Sequence, residues 1–153
     1  MKKRLTGKRA AKGFWIDPLD FKRHPSKAND RCKWFDSELE FTVYLALRQT
    51  KKQVIIKPSV VVIPSSQKYQ EKVWKCDYCL LAGKTIYVEA KGKWLLHDKA
   101  ELELFRMKLQ CIEYFRPDLF ENLILVSDEV FKIDGNVSTI HYQQLRGSID
   151  GIL

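Results

Sequence analysis

The sequence predicts an α/β fold, a mixed β-sheet flanked by helices in the order α-β-β-β-α-β, behind a basic N-terminal arm. Three observations carry this. Two helical patterns each open on a capping signature, Ser37-x-x-Glu40 and Asp98-x-x-Glu101. Between them lie runs of β-branched and aromatic residues punctuated by Pro58, Pro64 and Gly83. After the second helix, Leu123-Ile124-Leu125-Val126 reads as a short buried strand, parallel to a neighbour because a helix leads into it.

The first helix follows from Leu39, Val43, Tyr44 and Leu47 at helical spacing and runs to about Arg48, with 49–52 as its exit. Residues 54–63 are apolar and β-branched, but Pro58 removes a ladder donor, so they form either an edge strand with a break or two short strands. A polar loop, 64–70, leads into two strands, 73–81 and 85–92, joined by a turn at Gly83. Leu102, Phe105, Leu109 and Ile112 give the second helix its buried stripe until Pro117 ends it. Beyond Asp128 the one further element expected is a weak strand at 137–142. No internal repeat is visible.

At 153 residues the chain is sized for one domain, with 1–34 expected as the arm and 35–153 as the folded domain. A hydrophobic fraction of 45% is enough for a core. No apolar run approaches the ~20 residues of a membrane helix, and none has the form of a secretory signal. No membrane partner is therefore expected, and four cysteines do not suggest a disulfide scaffold, so a cytoplasmic, reducing setting is the expectation. The net charge of +8 is uneven: residues 1–33 carry eleven Lys/Arg against three Asp, and the other 120 residues are balanced. An arm of this kind, with Lys2, Lys3, Arg4, Lys8, Arg9 and Lys12 at its start, suits a polyanion such as DNA. Its aromatics Phe14, Trp15, Phe21, Trp34 and Phe35 can stack on bases or pin the arm to the domain.

The chemistry concentrates between residues 73 and 92. Glu89 and Lys91, two apart on a strand, share one face, while Ile86, Val88 and Ala90 take the other and read as core. Two carboxylates and a lysine on a rigid sheet can hold Mg²⁺ and activate a water for phosphodiester cleavage. Asp77 and Glu89 would supply the carboxylates, with the backbone carbonyl of Ala90 between them. Glu40 would reach the metal through a water, besides serving its capping box. Lys91 would orient the water or act on its proton. One geometric condition follows: a two-residue hairpin loop turns Asp77 to the core face, so Asp77 meets Glu89 only across an odd loop, such as 82–84, or a bulge. Cys76 and Cys79, three apart on a strand, face opposite sides and read as core cysteines rather than zinc ligands.

The run Asp77…Val88-Glu89-Ala90-Lys91-Gly92 resembles the PD-(D/E)xK nuclease superfamily, with Cys76 where that family often has proline. Phe35-Asp36-Ser37-x-x-Glu40 is similar to the helix motif carrying its first acidic residue. With Val61-Val62-Ile63-Pro64-x-Ser66 and Val88-Glu89-x-Lys91-Gly92-x-Trp94, residues 35–127 look like small phage nucleases, including the junction-resolving endonuclease I family. The resemblance implies a restriction-endonuclease-like sheet and the catalytic set Glu40, Asp77, Glu89 and Lys91. It also implies a Mg²⁺ cofactor, replaceable by Mn²⁺, and Lys93, Lys99, Arg106 and Lys108 as DNA contacts. The expected activity is endonucleolytic cleavage of branched DNA by a homodimer or higher symmetric oligomer, in a bacterial or phage-infected cell. The first helix and the segment 54–63 are the expected subunit contacts. A site-specific homing-type endonuclease and a non-catalytic nucleic-acid-binding module are the alternatives.

Overall fold

A computed structural model describes residues 13–153, so Lys2, Lys3, Arg4, Lys8, Arg9 and Lys12 of the expected arm lie outside the described residues. The elements are β1 (Phe14–Ile16), β2 (Arg23–His24), β3 (Lys33–Phe35), α1 (Glu38–Arg48), β4 (Gln53–Ile56), β5 (Ser59–Ile63), β6 (Lys72–Lys75), β7 (Tyr78–Leu81) and β8 (Thr85–Ala90). They continue with a 3-10 turn (Lys93–His97), α2 (Lys99–Phe115), α3 (Pro117–Glu121), β9 (Leu123–Ser127), β10 (Lys132–Asp134), β11 (Val137–Ser138), β12 (Ile140–His141) and α4 (Leu145–Ile152).

The central sheet has the order β12-β9-β8-β7-β4 and is mixed, as expected. β8, β9 and β12 run parallel, while β7 is antiparallel to both β8 and β4. The parallel step from β8 to β9 passes through α2, the crossover that parallel pairing requires. Each face is covered. On one side Tyr78, Leu80, Ile86, Val88 and Val126 pack against Val43 and Leu47 of α1 and Leu145 and Ile149 of α4. On the other, Leu125 meets Leu102, Phe105 and Leu109 of α2, with Phe131 and Ile133 closing the cluster. Each such fully buried apolar side chain contributes roughly 1.5–3 kcal/mol.

Both main helices start where their caps predict. Ser37 Oγ accepts the Glu40 N–H at 3.2 Å, and Asp98 Oδ1 accepts that of Glu101 at 3.1 Å. Three expectations need correction. Residues 73–81 are not one strand: β6 pairs with β5, β7 pairs with β4, and the chain bends between them at Cys76-Asp77. The C-terminal stretch is richer than one weak strand, adding β10, β11, β12 and α4. The arm boundary expected at 34 falls inside a small antiparallel sheet of order β2-β1-β3, which carries Ile16 and Phe35 into the core beside α1. Phe35 meets Phe41 and Tyr44 at ring-centroid distances of 5.1 and 5.2 Å, so these aromatics pin the segment to the domain.

Asp17 holds the loop after β1. Its carboxylate accepts the Leu19 N–H at 3.0 Å and Asn29 Nδ2 at 2.8 Å, and lies 3.2 Å from an Arg31 guanidinium nitrogen. These contacts, the Leu19 amide foremost, hold its pKa down at about 2. A carboxyl depressed in the folded state stabilises above its unfolded pKa and loses that contribution as pH falls toward the folded value. Asp17→Asn is therefore expected to lower the melting temperature at pH 7 and to flatten its dependence between about pH 4 and pH 2, readable by circular dichroism.

Candidate functional site

The bend between β6 and β7 is where the charged groups gather. β4–β5 and β6–β7 form one antiparallel ribbon, because Ile56↔Tyr78 and Ser59↔Lys75 keep a single register across the interruption. That register sets Lys57 opposite Asp77 and Pro58, which has no N–H to offer, opposite Cys76. Lys57 N–H still donates to the Asp77 carbonyl at 2.8 Å, and Lys57 itself adopts a left-handed φ of 52°. A non-glycine residue held there carries strain, a pattern that concentrates at functional sites.

On its other edge β7 pairs with β8 through Tyr78↔Val88 and Leu81↔Thr85. The loop is therefore the three-residue 82–84, closed by the Ala82 N–H on the Lys84 carbonyl at 2.9 Å with Gly83 at φ 81°. An odd loop puts Asp77 opposite Glu89, which satisfies the geometric condition. The two carboxylates brace each other's backbone: Glu89 Oε2 accepts the Asp77 N–H at 3.1 Å, and Asp77 Oδ2 accepts the Ala90 N–H at 2.8 Å. Both are buried, at 5% and 4% exposure, a cost no ordinary strand position would carry. Lys91 Nζ lies 3.2 Å from Glu89 Oε1 and 4.9 Å from the centre of the Phe105 ring on α2.

Glu40 comes from the first turn of α1. Its Oε2 accepts the Asp36 N–H at 3.1 Å and lies 3.3 Å from Lys57 Nζ. Only half of the expected capping box forms: Ser37 Oγ takes the Glu40 N–H, while the Glu40 carboxylate reaches past the cap to the Asp36 N–H and into the site. Tyr78, whose hydroxyl donates to the Glu40 carbonyl at 2.7 Å, ties that turn to β7. The predicted residues Glu40, Asp77, Glu89 and Lys91 are accordingly brought together, at the carboxyl ends of the parallel strands β8 and β9, the edge where α/β sheets bind ligands.

Two residues that sequence reasoning passed over complete the cluster. Lys57 Nζ stands 3.0 Å from Asp77 Oδ1, 3.3 Å from Glu40 Oε2 and 3.0 Å from Asp36 Oδ2. A signal was present: Lys57 is the one charged residue in the apolar run 54–63, directly before its proline. Asp36, half of the Phe-Asp-Ser run, is held in place by the Trp34 indole N–H at 2.6 Å.

The electrostatics match the crowding. Burial, then repulsion from Asp77, pushes Glu89 up to about 7 and raises Glu40 in the same way. Burial opposes the charge of Lys57, but Asp77 first and then Glu40 and Asp36 outweigh it and raise its pKa. Against its own partial burial, Asp36 is held down by Trp34 and Lys57. Cys76 is buried, with its thiol on the Val88 carbonyl at 3.3 Å and its pKa raised by burial and by Glu89. It and the buried Cys79 are core thiols, as expected.

The expected DNA contacts divide. Arg106 is occupied in bracing α2, through the Ile133 carbonyl at 2.7 Å and Glu103 at 2.6 Å. Lys93 pairs with Glu129 at 2.5 Å, and Lys108 lies 6.0 Å over the Trp74 ring. Lys99, at the start of α2, is exposed.

Among the described residues no three His, Cys, Asp or Glu side chains close into a ready-made metal cage, and a lysine stands between the carboxylates. The donor chemistry nevertheless suits a hard divalent cation: carboxylate oxygens from α1, β8 and the β6–β7 bend, mostly buried and mutually repelling, are what such an ion neutralises. No family model, curated protein or solved structure matches the chain. No helix among the described residues is long and apolar enough to cross a membrane.

Proposed function

We propose that this chain is a Mg²⁺-dependent DNA endonuclease of the PD-(D/E)xK type, with a restriction-endonuclease-like sheet, that hydrolyses phosphodiester bonds in branched DNA. The observation that carries this reading is the placement of Asp77 beside Glu89 across an odd loop, with Lys91 on the same carboxylate. Asp77 and Glu89 would hold the ion, with Glu40 and the Ala90 carbonyl beside them. When bound, Mg²⁺ supplies charge neutralisation at the scissile phosphate and lowers the pKa of a coordinated water. The chain's own residues do the rest. Glu89, restrained by the Asp77 N–H, fixes the position of Lys91 Nζ. Lys91 orients the attacking water and donates to the charge that builds on the phosphate oxygens. The 1–12 segment and Lys99 neutralise flanking phosphates.

Cutting both strands of a branch calls for two sites, hence a symmetric pair of chains. Of the two contact surfaces anticipated, the apolar residues of α1 are taken up by the core. The ribbon β5–β6 keeps Val61 and Val73, a directly paired set, at 37% and 49% exposure. That ribbon is the contact this reading favours.

An end-labelled four-way junction and a duplex of the same sequence, each incubated with Mg²⁺, separate the readings. Junction cleavage at least about 100-fold faster than duplex cleavage, whatever the sequence, is the expected outcome. One cut site in long duplex would favour the site-specific alternative, and binding of both DNAs without metal-dependent cleavage of either would favour the non-catalytic module. Lys91→Ala is expected to slow junction cleavage by about 10²–10⁴-fold, as removal of a positioned proton-handling group does, while leaving DNA affinity within severalfold.

A further inference from the structure

Lys57 has no place in the mechanism above, yet it makes more contacts with the carboxylates than any residue assigned to them. Its ammonium bridges Asp36, Glu40 and Asp77 at 3.0–3.3 Å. Asp77 Oδ2 is committed to the Ala90 N–H, so Oδ1 is the oxygen turned toward an incoming cation, and Oδ1 is the atom that Lys57 holds. On Glu40 the Asp36 N–H and Lys57 share Oε2, so the same ammonium also neutralises this second carboxylate. The cross-strand row Lys57–Asp77–Glu89 then places a built-in cation at one end of the carboxylate pair and Lys91 at the other.

We propose that Lys57 is an intramolecular counter-cation that occupies the divalent-metal position and is displaced when the metal binds. The proposal rests on the metal-nuclease reading. Three observations support it. An ammonium and a Mg²⁺ seeking the same carboxylate oxygens cannot both be seated there, since Mg²⁺ needs oxygens at about 2.0–2.1 Å. The lysine side chain is 32% exposed and has a four-carbon stem, so its head has a route to solvent. The backbone at Lys57 is left-handed, a conformation its following proline does not favour; it is tied by its N–H to the Asp77 carbonyl, and from there the side chain reaches the carboxylates. A consequence is that the metal-free chain keeps Glu40 and Asp77 in place and the ion meets them already assembled, at the cost of competing with the lysine.

The test measures binding and folding, not cleavage. Mn²⁺ and Mg²⁺ affinities are read by titration calorimetry, and metal-free melting temperatures by scanning calorimetry, for the wild type and for Lys57→Gln, Lys57→Arg and Asp77→Asn. Lys57→Gln should melt several degrees lower without metal and yet bind Mn²⁺ at least about tenfold more tightly. A residue that only supports the fold would lower both stability and affinity. Lys57→Arg, which keeps the charge, should stay near the wild type in melting temperature and bind metal no more tightly. Unchanged or weakened metal affinity in Lys57→Gln, with wild-type binding that Asp77→Asn abolishes, overturns the proposal while leaving the nuclease reading intact. If neither the wild type nor Lys57→Gln binds a divalent ion, both fall.

Discussion

Asp77→Asn is expected to reduce Mg²⁺-dependent cleavage by about 10³-fold or more while leaving the chain folded. The size follows from what the residue holds. Loss of one preorganised charge-stabilising group commonly costs about 10²–10³ in rate, and Asp77 is also proposed to hold the ion itself. Asparagine fits the volume, but one of the two atoms meeting Ala90 N–H and Lys57 Nζ must then be an NH₂ group facing a donor. A buried mismatch of this kind costs about 1–3 kcal/mol, so the melting temperature should drop by several degrees without loss of the cooperative transition. The two effects are separable by running cleavage well below the variant's melting temperature.

Glu89→Gln is expected to abolish cleavage and to stabilise the metal-free chain. Glu89 titrates near 7 in the fold, raised by burial and by Asp77 from its ordinary value of 4.5. An acid whose folded pKa is raised binds more protons in the folded than in the unfolded state across that window. The carboxylate therefore destabilises increasingly as pH climbs from about 4.5 toward 7, and the penalty is full above 7. Glutamine keeps an oxygen for the Asp77 N–H and carries no charge, although Lys91 loses its partner. The net gain at pH 8 should be roughly 1–3 kcal/mol, or about 2–4 °C per kcal/mol in a chain of this length. It should vanish near pH 4.5, so melting curves at the two pH values check both the sign and the cause.

The same residues show how far the sequence reaches. Both long helices are legible because their caps are local: Ser37 with Glu40 and Asp98 with Glu101 act within one turn. The placement of Asp77 beside Glu89 is legible because strand alternation and an odd loop determine it without reference to the rest of the chain. The break at Cys76-Asp77 is not, since nothing in Val73–Leu81 marks where the partner changes from β5 to β4. The small sheet β2-β1-β3 escapes for a related reason. Its strands are two or three residues long, too short for a period, and they are held by aromatic packing on α1. In α4, Gly147 and Gly151 lower the helical propensity, so the packing of Leu145 and Ile149 against the sheet has to supply what the local sequence does not. Lys57 falls between these cases. Its charge in an apolar run is visible, but its aim depends on a register carried across a bend and on a positive φ that no local pattern encodes.

In the proposed function Asp77, Glu89 and Lys91 act as one metal-dependent phosphodiesterase centre. Its most direct test follows a labelled four-way junction with the wild-type chain in Mg²⁺, with the same chain in excess EDTA, and with the Asp77→Asn and Lys91→Ala variants in Mg²⁺. Cleavage is expected in the first sample, with loss of it in EDTA and in both variants by about two orders of magnitude or more. Cleavage that persists in EDTA, or that survives both substitutions, would contradict the proposed function.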